Sequence, residues 1–134
     1  MSRGFFAPLA PSNNLSTLQA PACGVCGLYQ SCLSPKMAVT GQGERGVLIV
    51  AEAPGEEEDR LGEQLIGPAG QTLRLALSKI GVDLDRDCWK TNAIICRPTS
   101  KEGNRTPTND EVDYCRPNLI NTILDLKPST IIPM

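Results

Sequence analysis

The sequence contains no histidine, and that absence removes several common kinds of site. A Ser-His or Cys-His catalytic pair needs an imidazole, and so does a zinc site of the Cys2His2 type. Six cysteines are present among the 134 residues. Thiolate ligation is therefore the most economical remaining route to a metal site in this chain.

Aromatic residues are also scarce, at 4% of the chain. They are Phe5, Phe6, Tyr29, Trp89 and Tyr114. Aliphatic side chains must therefore fill most of the interior. Hydrophobic residues make up 40% of the sequence and charged residues 21%, which is ordinary for one small globular domain.

The sequence shows neither a membrane span nor an excess of positive charge. It has no run of about eighteen apolar residues, and residues 1–20 lack a basic start followed by an apolar stretch. We therefore predict a cytoplasmic protein without a membrane partner. The net charge of -2 and the pI of about 5.1 lack the basic balance that often marks tight nucleic-acid binders, although a local basic groove is compatible with them.

Four of the cysteines have the spacing of a metal or iron-sulfur site. Cys23 and Cys26 form a Cys-x-x-Cys pair, which fixes half of a tetrahedral sulfur site locally. Cys96 and Cys115 complete the site if the intervening chain folds back. Cys32 follows the pair closely enough to be an alternative ligand, and spacing alone does not decide the matter.

A structural interpretation of the cysteines competes with the metal site. Six cysteines can form three disulfides, but such frameworks belong to secreted chains, and residues 1–20 do not resemble a secretion signal. Cys88 precedes Trp89 and suits a buried position, because free cysteine behaves as a small apolar side chain.

The apolar pattern divides the chain into an arm and one domain. Residues 1–22 are rich in Ser, Asn, Pro and Ala without periodicity, which predicts a flexible N-terminal arm before a domain at 23–134. Strands are predicted at 46–51, 89–95 and 130–132, a loop at 52–59, and helices at 110–126 and at 69–80, the latter closed by Gly81. This alternation predicts an α/β fold with a parallel sheet flanked by helices.

Polar residues follow the first two predicted strands, where open parallel sheets form their sites. Glu52 and an acidic triplet follow the first strand, and Asn92 lies near the end of the second. A carboxylate and a carboxamide are thus expected to face one pocket, where Asn can read the edge of a base and a carboxylate can orient water. In the alternative interpretation, residues 56–59 are a solvated acidic loop and Asn92 caps its strand.

Several motifs occur in a fixed order along the chain. They are Cys23-x-x-Cys26, residues 51–59 (AEAPGEEED), residues 67–71 (GPAGQ), Thr91-Asn92, residues 96–98 (CRP) and Cys115. In order and approximate spacing the combination resembles the iron-sulfur uracil-DNA glycosylases, often called family 4. The similarity covers roughly residues 23–133 and is far more specific than any single motif.

The resemblance implies a three-layer uracil-DNA glycosylase-like fold and a structural cofactor. A 4Fe-4S cluster would be bound by Cys23, Cys26, Cys96 and Cys115, with the other two cysteines not acting as ligands. The cluster would tie the N-terminal segment to the loop and helix that follow the second strand.

The resemblance also implies base-excision repair, in which the N-glycosidic bond of uracil in DNA is hydrolysed after the base has left the stack. Glu52 and Glu58 become candidates for positioning water or stabilising the developing oxocarbenium ion, and Asn92 for hydrogen-bonding the uracil edge. The implied substrate-binding residues are Ala53, Pro54, Gly55, Leu65, Gly70 and Gln71.

The chain departs from the family pattern at several places. The family carries a later His-Pro-Ser type motif, whereas this sequence stops at Met134, which suggests the N-terminal two-thirds of the domain. Leu65 stands where the family usually has a phenylalanine that stacks on uracil, and Ala51 replaces a leading glycine. Residues 99–103 lengthen the segment between the last two motif cysteines, and we interpret them as a loop insertion.

A domain truncated in this way is expected to have an exposed sheet edge and an uncovered apolar face. It would need its cluster, a dimer or a missing C-terminal segment to be stable. Two alternatives to the enzyme stay open. One is a catalytically silent iron-sulfur relative that binds nucleic acid or a protein partner, and the other is a zinc-clasped α/β module with no role on DNA.

Overall fold

A computed structural model describes residues 20–134 of the chain. The elements in chain order are α1 (Cys23–Cys26), β1 (Val47–Ala51), α2 (Glu56–Leu61), α3 (Pro68–Ser78), α4 (Leu84–Asp87), β2 (Cys88–Asn92), β3 (Thr99–Ser100), β4 (Gly103–Asn104), α5 (Asn109–Leu126) and β5 (Thr130–Pro133). A short 3-10 turn at Leu28–Ser31 lies between α1 and β1.

The main sheet has three parallel strands in the order β2-β1-β5, so the predicted α/β fold with a parallel sheet is confirmed. The central strand β1 buries Leu48, Ile49 and Val50, as expected for a strand covered on both faces. All of β5 is exposed, and Ile131 and Ile132 retain 43% and 42% of their accessible surface. The expected uncovered edge is therefore present at β5.

The two predicted long helices form close to their predicted bounds. Pro68 occupies the first turn of α3, where a missing N–H costs nothing, and Leu73 and Leu77 pack against the core cluster around Ile49. Thr108 and Glu111 form a reciprocal capping box at the start of α5.

The predicted loop at 52–59 is wrong over its second half, because α2 begins at Glu56. Four consecutive acidic residues occupy its first turn, where the positive end of the helix dipole favours them. The buried Asp59 carboxylate also accepts bonds from the backbone N–H groups of Leu33 and Ser34, at 3.2 and 2.9 Å. Tertiary contacts thus stabilise a helix that has no apolar periodicity.

Two further boundaries differ from the prediction. Strand β2 ends at Asn92 rather than at residue 95, and the segment interpreted as a loop insertion is an antiparallel hairpin of β3 and β4. Of the predicted arm at 1–22, residues 1–19 lie outside the described residues, and Ala22 donates its N–H to the Tyr114 carbonyl of α5 at 3.1 Å. The division into arm and domain stays a prediction. Within residues 20–134, no helix combines the length and apolar character that crossing a membrane requires.

The start of α5 generates a prediction about acid stability. Both oxygens of Glu111 accept bonds from the Arg105 guanidinium, at 2.6 and 2.8 Å, and this pairing lowers the pKa of Glu111 from 4.5 to about 2. Since the folded pKa lies below the unfolded one, the pair stabilises the fold above pH 4.5, and the contribution is lost as the pH falls towards 2.

We therefore expect Glu111→Gln to lower the free energy of unfolding by about 2 kcal/mol at pH 7 and by much less near pH 3, after allowing for screening. Urea unfolding at the two pH values measures the difference. Asp110→Asn, an exposed carboxylate in the same helical turn, is the matched control. An equal loss for Glu111→Gln at both pH values would contradict the assignment.

Candidate functional site

The four motif cysteines lie around one small cavity. Cys23 and Cys26 are the ends of the single-turn helix α1, Cys96 follows β2, and Cys115 lies on α5. Helix α1 packs directly against α5, which brings together cysteines that are far apart in sequence. The remaining walls include the apolar side chains of Leu28, Ile94 and Ile95.

Hydrogen-bond donors point at two of the sulfur atoms. The backbone N–H of Lys36 lies 3.2 Å from Cys96 Sγ, and the Asn118 side-chain amide donates to Cys115 Sγ at 3.5 Å. Burial raises the pKa of the Cys96 thiol to about 11, the Lys36 N–H opposes this shift, and the nearby cysteines add to it. A metal centre binds thiolates rather than thiols, so binding here releases protons.

The four motif cysteines line the same cavity. Within residues 20–134, no group of three or more cysteine, aspartate and glutamate side chains is arranged to hold a metal ion. The side chains as they stand therefore do not form a finished ligand shell such as that of zinc, whose four sulfur ligands all lie about 2.3 Å from the metal.

The other two cysteines have different surroundings. Cys32 packs beside the cavity without lining it, and its Sγ donates to the carbonyls of Leu28 and Arg97 at 3.2 and 3.6 Å. Cys88 is 2% exposed in the core cluster of Ile49, Leu65 and Leu84. The position of Cys88 is consistent with a free thiol outside the metal site, whereas Cys32 lies beside Cys96 and its role as an alternative ligand stays a prediction.

A second concavity, here called the groove, lies beyond the carboxyl end of β1 and has a volume of about 580 Å³. Six predicted catalytic or substrate-binding residues line it: Glu52, Ala53, Gly55, Glu58, Leu65 and Gly70. Pro54 is buried instead, and Gln71 is exposed on α3 with its amide bonded to the Ile66 carbonyl at 3.1 Å. Neither of these two residues lines the groove, and the third predicted catalytic residue, Asn92, is buried beside the groove without lining it.

The two predicted glutamates differ in their contacts. Glu52 is exposed in the groove. Glu58 is partly buried, and its Oε1 accepts the backbone N–H of Gly67 at 3.0 Å. A Cβ atom at Gly55 would lie 2.8 Å from Glu58 Oε2, and one at Gly67 would lie 3.1 Å from Oε1. The two glycines therefore let this carboxylate connect the loop after β1 to the start of α3.

Asn92 is the last residue of β2 and is paired in register with Ala51, which lines the groove. Past the strand ends the pairing continues, since Ala93 N–H bonds to Ala51 O at 2.8 Å and Ile94 N–H to Glu52 O at 2.9 Å. Asn92 is 2% exposed. Its Nδ2 is a buried side-chain donor without a partner among the described residues, and such unpaired donors are rare in folded proteins.

Three lining residues were not predicted individually as site residues: Glu56 and Glu57, which belong to the acidic triplet expected after β1, and Asn104. Asn104 reaches the groove from β4, and its Oδ1 accepts the Arg97 Nε–H at 2.7 Å, which leaves the amide nitrogen as a donor towards the groove. No sequence signal marked this residue, because the hairpin that carries it was predicted to be an insertion.

Comparison with known families gives a match over most of the chain. The profile described as the Uracil DNA glycosylase superfamily matches residues 39–134. The matched region includes both the groove and two of the four cavity cysteines, Cys96 and Cys115.

Curated relatives agree with the profile. The chain is 46% identical over 114 residues to the Type-4 uracil-DNA glycosylase of Pyrobaculum aerophilum, covering 84% of this chain and 55% of that protein. The Type-4 enzyme of Archaeoglobus fulgidus is 33% identical over 111 residues, covering 83% and 53%. That of Sulfurisphaera tokodaii is 35% identical over 116 residues, covering 84% and 50%. The chain spans about half the length of the curated relatives it matches.

Proposed function

The chain belongs to the uracil DNA glycosylase superfamily, and we propose on that premise that its groove receives a uracil base flipped out of DNA and that the N-glycosidic bond is hydrolysed there. One observation carries the proposal. A buried amide donor without a partner, Asn92 Nδ2, lies at the end of the strand paired with β1, and the exposed carboxylate of Glu52 follows β1 directly.

The reaction creates a negative charge on the uracil and a positive charge on the sugar. Asn92 suits the first charge and Glu52 the second. As the bond between C1′ and N1 breaks, its electron pair leaves with the uracil, which becomes an anion, while the sugar acquires oxocarbenium character and takes up a water oxygen. Asn92 donates to a uracil oxygen and stabilises the leaving anion. Glu52 orients the attacking water, accepts its proton or stabilises the cationic sugar.

The acidic character of the groove favours the sugar cation and keeps phosphates out. Glu52, Glu56, Glu57 and Glu58 all line it. A DNA phosphate is repelled by these carboxylates, and so is the departing uracil anion, which therefore depends on a neutral donor such as Asn92. Asn104 adds a neutral donor on the hairpin side. Ala53, Gly55, Leu65 and Gly70 shape the walls, and we assign Glu58 to holding the wall at Gly67.

We further propose that Cys23, Cys26, Cys96 and Cys115 hold a 4Fe-4S cluster. The support is that all four line one cavity and that N–H donors face two of the sulfurs. Hydrogen bonds to ligand sulfurs are a normal feature of iron-sulfur sites. The cluster would supply cross-links between α1, the segment after β2 and α5, and no part in the hydrolysis.

A relative that binds uracil-containing DNA without excising the base is the second candidate. Leu65 favours it, because a leucine in the wall offers no aromatic face to the base. Stacking on an aromatic side chain contributes about 1 to 3 kcal/mol per base, so its absence weakens the hold on a flipped uracil.

For the hydrolysis, we expect Asn92→Ala to slow uracil release from a single-stranded uracil oligonucleotide by about a hundredfold or more, because a donor to the leaving anion is lost. Glu52→Ala should slow it by about a hundredfold through loss of water activation. Exposed residues of the same types outside the groove, in Asn121→Ala and Glu44→Ala, are the controls. Full release by both Asn92→Ala and Glu52→Ala would refute the proposal. If the unmodified chain binds the uracil oligonucleotide without releasing uracil, the second candidate is supported.

For the cluster, we expect Cys96→Ser to lose most of its iron and its visible absorbance, because a thiolate ligand is removed. Cys88→Ser should keep both, since this thiol is buried in the other core cluster. Iron and acid-labile sulfide are measured on both proteins after anaerobic purification. Equal retention would show that the ligand assignment is wrong.

A further inference from the structure

One wall of the groove is a short loop at residues 62–67 with an unfavourable backbone conformation. Leu65 has a φ of +58°, in the left-handed region, although it is not a glycine. A non-glycine residue in this region is strained and persists only where its surroundings hold it. Leu65 is 7% exposed and also lines the groove, so its conformation sets the shape of the wall.

Arg74 of α3 holds the Leu65 carbonyl. Its Nη1 donates to Leu65 O at 3.3 Å, while Nε and Nη2 donate to the two carboxylate oxygens of Asp85 at 3.2 and 3.0 Å. The guanidinium therefore joins the groove wall to the start of α4. A planar fork with several donors is required for this double contact, and lysine does not offer one.

Asp85 is in turn anchored to a buried lysine. Lys90 Nζ lies 2.6 Å from Asp85 Oδ1 and 2.8 Å from Glu63 Oε1, and its side chain is 0% exposed. Glu63 belongs to the same loop as Leu65. The central amine thus fixes the loop at Glu63 directly and at Leu65 through Asp85 and Arg74.

Gly70 completes the contact from the same helix face, four residues before Arg74. A Cβ atom at this position would overlap the carbonyl group of Leu65. The close approach of α3 to the Leu65 carbonyl therefore requires glycine, and it brings Arg74 within hydrogen-bonding distance of the same oxygen.

We propose that Arg74, anchored through Asp85 to the buried Lys90, is a positioning residue that holds Leu65 in its left-handed conformation and so pre-forms the groove wall for the base. The statement that this wall receives a base rests on the proposed function. Only Lys90 of this network is buried, since the side chains of Asp85 and Glu63 are about half exposed, so the network contributes little net stability, but its directional bonds fix one backbone oxygen. Such directional bonds are well suited to holding a strained residue in the wall of a binding site.

The structural half of the proposal is tested by hydrogen exchange and needs no activity. Arg74→Gln should raise the exchange rate of the backbone amides at 65–67 by about tenfold, because the wall loses its clamp. Gly70→Ala should raise it as well by displacing Leu65. The control is Arg86→Gln, since Arg86 makes a similar fork to Asp87, at 3.2 and 3.3 Å, away from the groove. Equal exchange in Arg74→Gln and Arg86→Gln would overturn the proposal.

Whether Arg74 pre-forms the wall for the base is tested by measuring the affinity for free uracil, either as product inhibition or by calorimetry. Arg74→Gln should weaken binding about tenfold, as expected when a pre-formed site must be ordered on binding, with Arg74→Lys intermediate and Arg86→Gln unchanged. Faster exchange with unchanged uracil affinity would overturn the positioning role. If the unmodified chain binds no uracil, the proposed function fails, while the exchange result still decides whether Arg74 holds Leu65.

Discussion

The register between β1 and β2 is the constraint on which both candidate sites depend. Val47 lies opposite Cys88 and Ala51 opposite Asn92, and the pairing continues past the strand ends through the N–H groups of Ala93 and Ile94. A slip of one residue would turn every side chain of β2 to the other face of the sheet. Asn92 would then leave the groove edge, and Cys96 would be displaced from the cavity.

The two candidate sites differ in the side chains that line them. The cysteine cavity is lined mainly by thiols and apolar groups, and it joins segments that are distant in sequence. The groove is lined by carboxylates, an amide and glycines that allow close backbone approach. Only three residues separate Asn92 from Cys96, and the buried Ile94 is the middle one. The proposed ligation at Cys96 would therefore stabilise the segment that carries Asn92.

Much of this arrangement could be predicted from sequence, because the signals are local. The continuous apolar run of β1 and the capping signals of α5 identify their elements, and the order of strands and helices predicts the parallel sheet. Polar residues after parallel strands indicate the groove edge.

What sequence could not show depends on contacts between distant residues. The acidic run of α2 has no apolar period, and its helix depends on Asp59 meeting the backbone of Leu33 and Ser34. Asn104 and the left-handed Leu65 likewise depend on tertiary contacts.

The two proposals together place a uracil site and an iron-sulfur site beside each other at this edge of the sheet. The most direct test is to measure iron, acid-labile sulfide and uracil release from a single-stranded uracil oligonucleotide on one anaerobically purified sample. We expect iron and sulfide in equal amounts together with released uracil. A sample that carries its full complement of iron and sulfide but neither binds nor releases uracil would contradict the assignment of the groove, and folded protein that contains no iron or sulfide after anaerobic purification would contradict the role given to the cysteines.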